Sequence, residues 1–158
     1  MGDGTAERIE MIDRLSAPDV DRIMFMDVKL WGILHDGGVE RMTGTLPGNV
    51  VFHVWLEWVA KEFPPSNGVL TITLHDCSDI EYTEFGSDVP YIDVAGLQGL
   101  DIEILGATRQ GDWATVNTAL GRLRVRYTDV TVQLDNGTIV TLDELTTAVR
   151  HDFEKFVG

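Results

Sequence analysis

Val50-Val51-Phe52-His53-Val54-Trp55-Leu56-Glu57-Trp58-Val59 is the run on which the fold turns. Phe52, Val54, Leu56 and Trp58 fall on one face of an extended chain, and Val51, His53, Trp55 and Val59 on the other. Both faces are mostly apolar, so the run reads as a strand, Val50 to Val59, covered on both sides. Pro47-Gly48-Asn49 before it supplies turn residues, and Val39 to Leu46 completes a hairpin. Pro64-Pro65-Ser66-Asn67-Gly68 ends the run and leads into a strand in which Leu70, Ile72 and Leu74 alternate with Thr71, Thr73 and His75.

Further strands are expected near Tyr82 and over Leu100 to Leu105, Trp113 to Thr118 and Leu120 to Tyr127. Val130 to Leu134 and Thr138 to Thr141 flank Asp135-Asn136-Gly137, a hairpin signal because Asn and Gly tolerate positive φ. Thr141 and Glu144 then form a T-x-x-E capping box. It opens a helix whose one face carries Leu145, Ala148, Val149, Asp152, Phe153 and Phe156. At the other end, Ile9, Ile12 and Leu15 predict a helix from Thr5 to Leu15. Pro18 predicts a short second helix running toward Met24. Asp27 to Leu34 suits either a strand or a helix end. The expected class is α+β: a mainly antiparallel sheet with N-terminal helices and a C-terminal amphipathic helix, one domain over 1–158.

The 158 residues include 44% apolar side chains, enough for a full core. The net charge is −14, which repels nucleic-acid backbones and anionic membranes and argues against both as ligands. The charge is unevenly placed. Between Lys61 and Arg109 there is no lysine or arginine, yet Glu62, Asp76, Asp79, Glu81, Glu84, Asp88, Asp93, Asp101 and Glu103 all lie there. A folded surface of one sign attracts basic partners. The candidate partner-binding residues are therefore Asp76, Asp79, Glu81, Glu84, Asp88 and Asp93. Asp101 and Glu103 share a strand face, and Arg122, Arg124 and Arg126 repeat that spacing with opposite sign. If the two strands are neighbours, the ladders neutralise each other.

Catalytic motifs are weak by comparison. His35-Asp36 and His75-Asp76 would supply ligands for a divalent metal or line a pocket if their strands met, which frames the alternative of a small metal- or ligand-binding enzyme. Their spacing fits no metal motif, so no cofactor and no catalytic residue are assigned. Cys77 sits among carboxylates that disfavour a thiolate and reads as a buried structural cysteine. Trp31, Trp55, Trp58 and Tyr82 read as core, with binding anchors as the rival role. His53 reads as an interior or half-buried hydrogen-bonded residue, and His151 as a favourable charge near a helix C-terminus. With one cysteine, no basic-plus-apolar leader and no apolar run near ~20 residues, a cytoplasmic protein is expected.

The run Leu34-His35-Asp36-Gly37-Gly38-Val39, a hairpin, and then Leu70-Thr71-Ile72-Thr73-Leu74-His75-Asp76-Cys77 resembles small acidic bacterial immunity proteins of polymorphic-toxin systems. The resemblance spans Leu34 to Leu134. It implies a non-catalytic domain that neutralises a cognate basic toxin by direct contact, and it carries over no binding residue by position.

Overall fold

The computed structural model describes the backbone of residues 28–63 and 68–157, and the side chains of those residues apart from 58 and 151–157. The predicted helices over Thr5 to Leu15 and toward Met24 lie outside the described residues. So do the side chains of Trp58, His151, Asp152, Phe153 and Phe156. Residues 28–33, in a stretch that suited either a strand or a helix end, form a helical segment, α1.

From Gly38 onward the chain is mainly antiparallel sheet. Five strands form one sheet in the order β1 (Gly38–Gly44), β2 (Gly48–Trp55), β3 (Val69–Cys77), β8 (Asp129–Leu134) and β9 (Ile139–Val140). Four form a second in the order β4 (Asp79–Glu84), β7 (Gly121–Arg126), β6 (Trp113–Thr118) and β5 (Ile104–Gln110). Short helix α2 (Glu57–Ala60) follows β2, and α3 (Leu142–Val157) closes the chain.

Alternation explains the core. Val50, Phe52, Val54, Leu70, Ile72 and Leu74 of the first sheet and Ile80, Tyr82, Val116, Leu123 and Val125 of the second are buried in one cluster. Strands β2, β3, β4 and β7 send alternate side chains inward, so the two apolar faces share that cluster. Trp31 of α1 joins it, tilted against Phe52 at a ring separation of 6.1 Å, and its Nε1 donates to the Tyr127 hydroxyl at 2.9 Å. The indole thus buries its ring while its one polar atom is satisfied.

The strand expected over Val50 to Val59 ends at Trp55. Leu56, Val59 and Ala60 are all buried, a spacing of three and four that suits the helical turn α2 and not an extended chain. Nor is β2 covered on both sides: Val51 and His53 are half-buried and Trp55 is 47% exposed. The strand expected over Leu100 to Leu105 is displaced, with β5 running Ile104–Gln110. Ile102 is buried by a corner contact instead, its carbonyl accepting from Val39 N–H at 2.8 Å. Helix α3 begins as expected. Thr141 Oγ1 accepts from Glu144 N–H and Glu144 Oε1 accepts from Thr141 N–H, both at 3.1 Å, so two donors at the helix start are satisfied reciprocally.

His53 faces outward beside Arg41, whose guanidinium donates to its Nε2 at 3.2 Å. Burial and then the Arg41 charge push its pKa below the ordinary 6.5, with Glu40 opposing. A histidine depressed in the fold takes up its proton first in the unfolded chain. Its contribution to stability is complete above 6.5 and declines as pH falls below that value toward the lowered native pKa. NMR titration should place the native His53 midpoint below 6.5. Arg41→Ala should raise that midpoint only in part, because burial is the larger cause.

Candidate functional site

Strand β4 lies at the edge of the second sheet and carries much of the predicted acidic surface. Its register with β7 sets Asp79 opposite Arg126, Glu81 opposite Arg124 and Thr83 opposite Arg122. Asp79 Oδ2 is 3.5 Å from Arg126 Nε, and Glu81 Oε1 is 3.6 Å from Arg124 Nη1. The arginine ladder therefore faces β4, and not Asp101 and Glu103, which it would have neutralised had their strands been neighbours. On its other side the ladder stacks on Trp113, with the Arg124 and Arg126 guanidinium carbons 4.3 and 5.3 Å from ring centroids. These half-exposed pairs contribute little stability each. Arg124 pairs Glu81 within the sheet, while Arg126 is shared between Asp79 and Asp112, whose Oδ2 lies 3.4 Å from its Nη2.

The six candidate carboxylates consequently separate along β4. Asp79 stands at its start, with Asp76 before it in β3, Glu81 in the middle and Glu84 at its last residue; Asp88 lies in the loop beyond, and Asp93 follows Tyr91 where the chain turns back alongside β4. Five residue steps of an extended chain separate the two ends by roughly 17 Å. Asp76 is exposed and accepts from Thr128 Oγ1 at 3.0 Å. Asp88 and Asp93 are exposed, and Glu84 is half-buried, its Oε1 accepting from the Tyr91 hydroxyl at 3.0 Å. That hydrogen bond, with the Glu84 charge behind it, raises the Tyr91 phenol above its ordinary pKa.

Residues 83–90, Thr-Glu-Phe-Gly-Ser-Asp-Val-Pro, form a closed excursion from the sheet edge, and Ile92 and Asp93 lie just past its neck. Its neck is a Tyr82–Tyr91 bridge, each N–H donating to the other's carbonyl at 2.8 Å. Within it Ser87 N–H donates to the Glu84 carbonyl at 3.1 Å, and Val89 N–H to Ser87 Oγ at 3.2 Å. Phe85 N–H donates to the Leu120 carbonyl at 3.0 Å, which ties the loop to the β6–β7 turn. With these amides satisfied, apolar side chains point outward: Phe85 is 67% exposed, Val89 75%, Ile92 66% and Leu120 53%. Isolated exposed apolar residues are ordinary. Phe85 and Val89 on one braced loop, with Ile92 just past its neck, Leu120 on the turn bonded to it and three carboxylates interspersed, form the arrangement typical of a recognition surface.

Phe85, Val89 and Ile92 have no role assigned from sequence, and their exposure is a finding of the structure. A usable signal was present in Phe85-Gly86-Ser87-Asp88-Val89-Pro90, where turn formers interrupt the apolar residues and break any period of two.

The two His-Asp pairs serve as backbone corners. Among the described residues Asp36 and Asp76 are the non-glycine residues with positive φ, at 67° and 51°, a conformation that Asp tolerates better than most residues. Asp36 follows α1, and its N–H donates to the Ile104 carbonyl at 2.7 Å. A Cβ on Gly37 would lie 2.7 Å from Val54 Cγ1 and 2.8 Å from the Leu34 carbonyl oxygen, so glycine is required there. Asp76 sits at the irregularity where β2 and β3 slip register, its N–H donating to Asn49 Oδ1 at 3.2 Å. His75 Nε2 is 2.6 Å from Thr131 Oγ1, and His35 Nδ1 donates to the Gly32 carbonyl at 3.0 Å. Among the described residues no group of three or more His, Cys, Asp or Glu side chains is arranged to hold a metal ion.

Cys77 is buried, with Sγ 3.6 Å from the Asp79 carbonyl. Burial pushes its pKa up to about 11, so the thiol is protonated at neutral pH and is a poor nucleophile. No helix among the described residues is long and apolar enough to cross a membrane. Comparison of the chain with protein-family models, curated proteins and solved structures returns no match.

Proposed function

We propose that the protein is a non-catalytic binding domain whose 84–93 loop, with Leu120, docks on a basic protein. The observation that carries this reading is the conjunction, on one braced loop and the two residues past its neck, of outward Phe85, Val89 and Ile92 with Glu84, Asp88 and Asp93, and no lysine or arginine. Apolar anchors supply affinity, and the surrounding carboxylates speed encounter and select partners of positive charge. Of the six candidate carboxylates, Glu84, Asp88 and Asp93 make the contact. Asp79 and Glu81 are occupied by Arg126 and Arg124, and Asp76 holds a corner. The resemblance to immunity proteins makes a cognate basic toxin, met in the cytoplasm, the first partner class to try.

The experiment is to capture the partner on the immobilised protein and to follow association by stopped flow as salt is raised. Steering by the acidic loop predicts an on-rate that falls about tenfold or more between low and high ionic strength. An on-rate indifferent to salt contradicts it.

A further inference from the structure

Strand β7 presents three arginines on the outer face of the second sheet, opposite to buried Leu123 and Val125, and their neighbours across β4 differ. Arg126 and Arg124 stand opposite Asp79 and Glu81, whereas Arg122 stands opposite Thr83. Arg122 is exposed, and among the described residues its guanidinium has no ion pair and no hydrogen bond. On its other side the register sets Asn117 of β6 beside it, also exposed, with Gly106 of β5 beyond. Residues directly opposite on paired strands lie ~5 Å apart at Cβ, so this guanidinium and this amide can reach one ligand group together. A Cβ at Gly106 would meet nothing within 4 Å, so the space beside Asn117 is open. The patch adjoins the surface described above. Leu120 directly precedes β7, two residues and roughly 7 Å from Arg122, and its carbonyl accepts from Phe85 N–H at 3.0 Å.

We infer that Arg122 and Asn117 receive a carboxylate of the partner protein, an Asp or Glu side chain set within its basic surface. This assignment rests on the proposed docking of the loop and Leu120, and it adds a partner group that the loop alone does not specify. A guanidinium matches a carboxylate in shape and charge and binds it through two parallel N–H donors, with the Asn117 amide as a third. A net charge of −14 repels a small free anion. A carboxylate carried on a cationic protein is instead brought to Arg122 by that protein's attraction to Glu84, Asp88 and Asp93. Arg122 thereby selects among basic partners, because its own charge disfavours any that offers no carboxylate at this point.

The test is association and dissociation kinetics with the partner captured on the immobilised protein and then purified. Charge alone makes a definite forecast. Arg122→Gln and Thr83→Glu each make an acidic protein more acidic, which would speed association with a basic partner and leave dissociation unaltered. A carboxylate on Arg122 predicts the opposite sense: each variant should dissociate about tenfold or more faster and bind more weakly. Arg122→Gln removes the fork, and Thr83→Glu occupies it from across the strand. The double variant should therefore dissociate no faster than Arg122→Gln. Unaltered or slower dissociation in Arg122→Gln overturns the assignment, and so does a further loss in the double variant. Phe85→Ala separates the two readings. Weaker binding there, with Arg122→Gln unaltered, keeps the loop contact and removes this one. Unaltered binding in Phe85→Ala moves the contact off the loop and takes this assignment with it. If Thr83→Glu fails to fold, Arg122→Gln decides alone.

Discussion

Phe52→Ala should remove about 3–5 kcal/mol of folding stability, the cost of deleting a large buried ring and leaving a cavity that the surroundings fill only in part. Phe52 has no exposed surface, stands opposite Met42 on β1 and Ile72 on β3, and packs against Trp31. It joins helix α1 to the centre of the five-stranded sheet, so its loss is felt by both. Urea unfolding should show a lower midpoint with an unchanged slope, because the surface exposed on unfolding is nearly the same. A loss under about 1 kcal/mol would mean that Phe52 does not hold this central position.

Phe85→Ala should have the opposite profile. At 67% exposure the ring contributes little to folding, and stability should stay within about 0.5 kcal/mol of the parent. Partner affinity should fall by about 2 kcal/mol, roughly 30-fold, if Phe85 is the aromatic anchor of the contact. Asp88→Lys should act on the other half of the surface. Reversing an exposed rim charge slows association and flattens its salt dependence more than it speeds dissociation. The two variants therefore separate anchoring from steering. Unaltered affinity in Phe85→Ala, measured on a protein with an unaltered urea midpoint, would move the contact off this loop.

Features whose physics is local were legible in the sequence. The Thr141–Glu144 capping box needs only residues three apart, and β6 matches the run expected from Trp113 to Thr118. Boundaries were lost where two periods coincide. Leu56, Val59 and Ala60 satisfy helical spacing while Phe52, Val54, Leu56 and Trp58 satisfy that of a strand, and backbone hydrogen bonding decides between them. Strand β5 escaped notice because Gly106, Ala107, Thr108, Arg109 and Gln110 show no apolar alternation, and its pairing is supplied by β6. The acidic character of the middle segment was legible in full. Its division was not, because sheet order alone places Arg124 and Arg126 opposite Glu81 and Asp79. The outward turn of Phe85, Val89 and Ile92 depends on the Tyr82–Tyr91 neck, a pairing that no short-range pattern announces.

Amide hydrogen exchange of the protein, free and bound to its captured partner, tests the central claim most directly. Protection concentrated in residues 84–93 and at Leu120, with the outer face of β2 and β3 unaltered, is the expected footprint. Protection confined to β2 and β3, with 84–93 exchanging as in the free protein, would contradict the assignment of the contact to this loop.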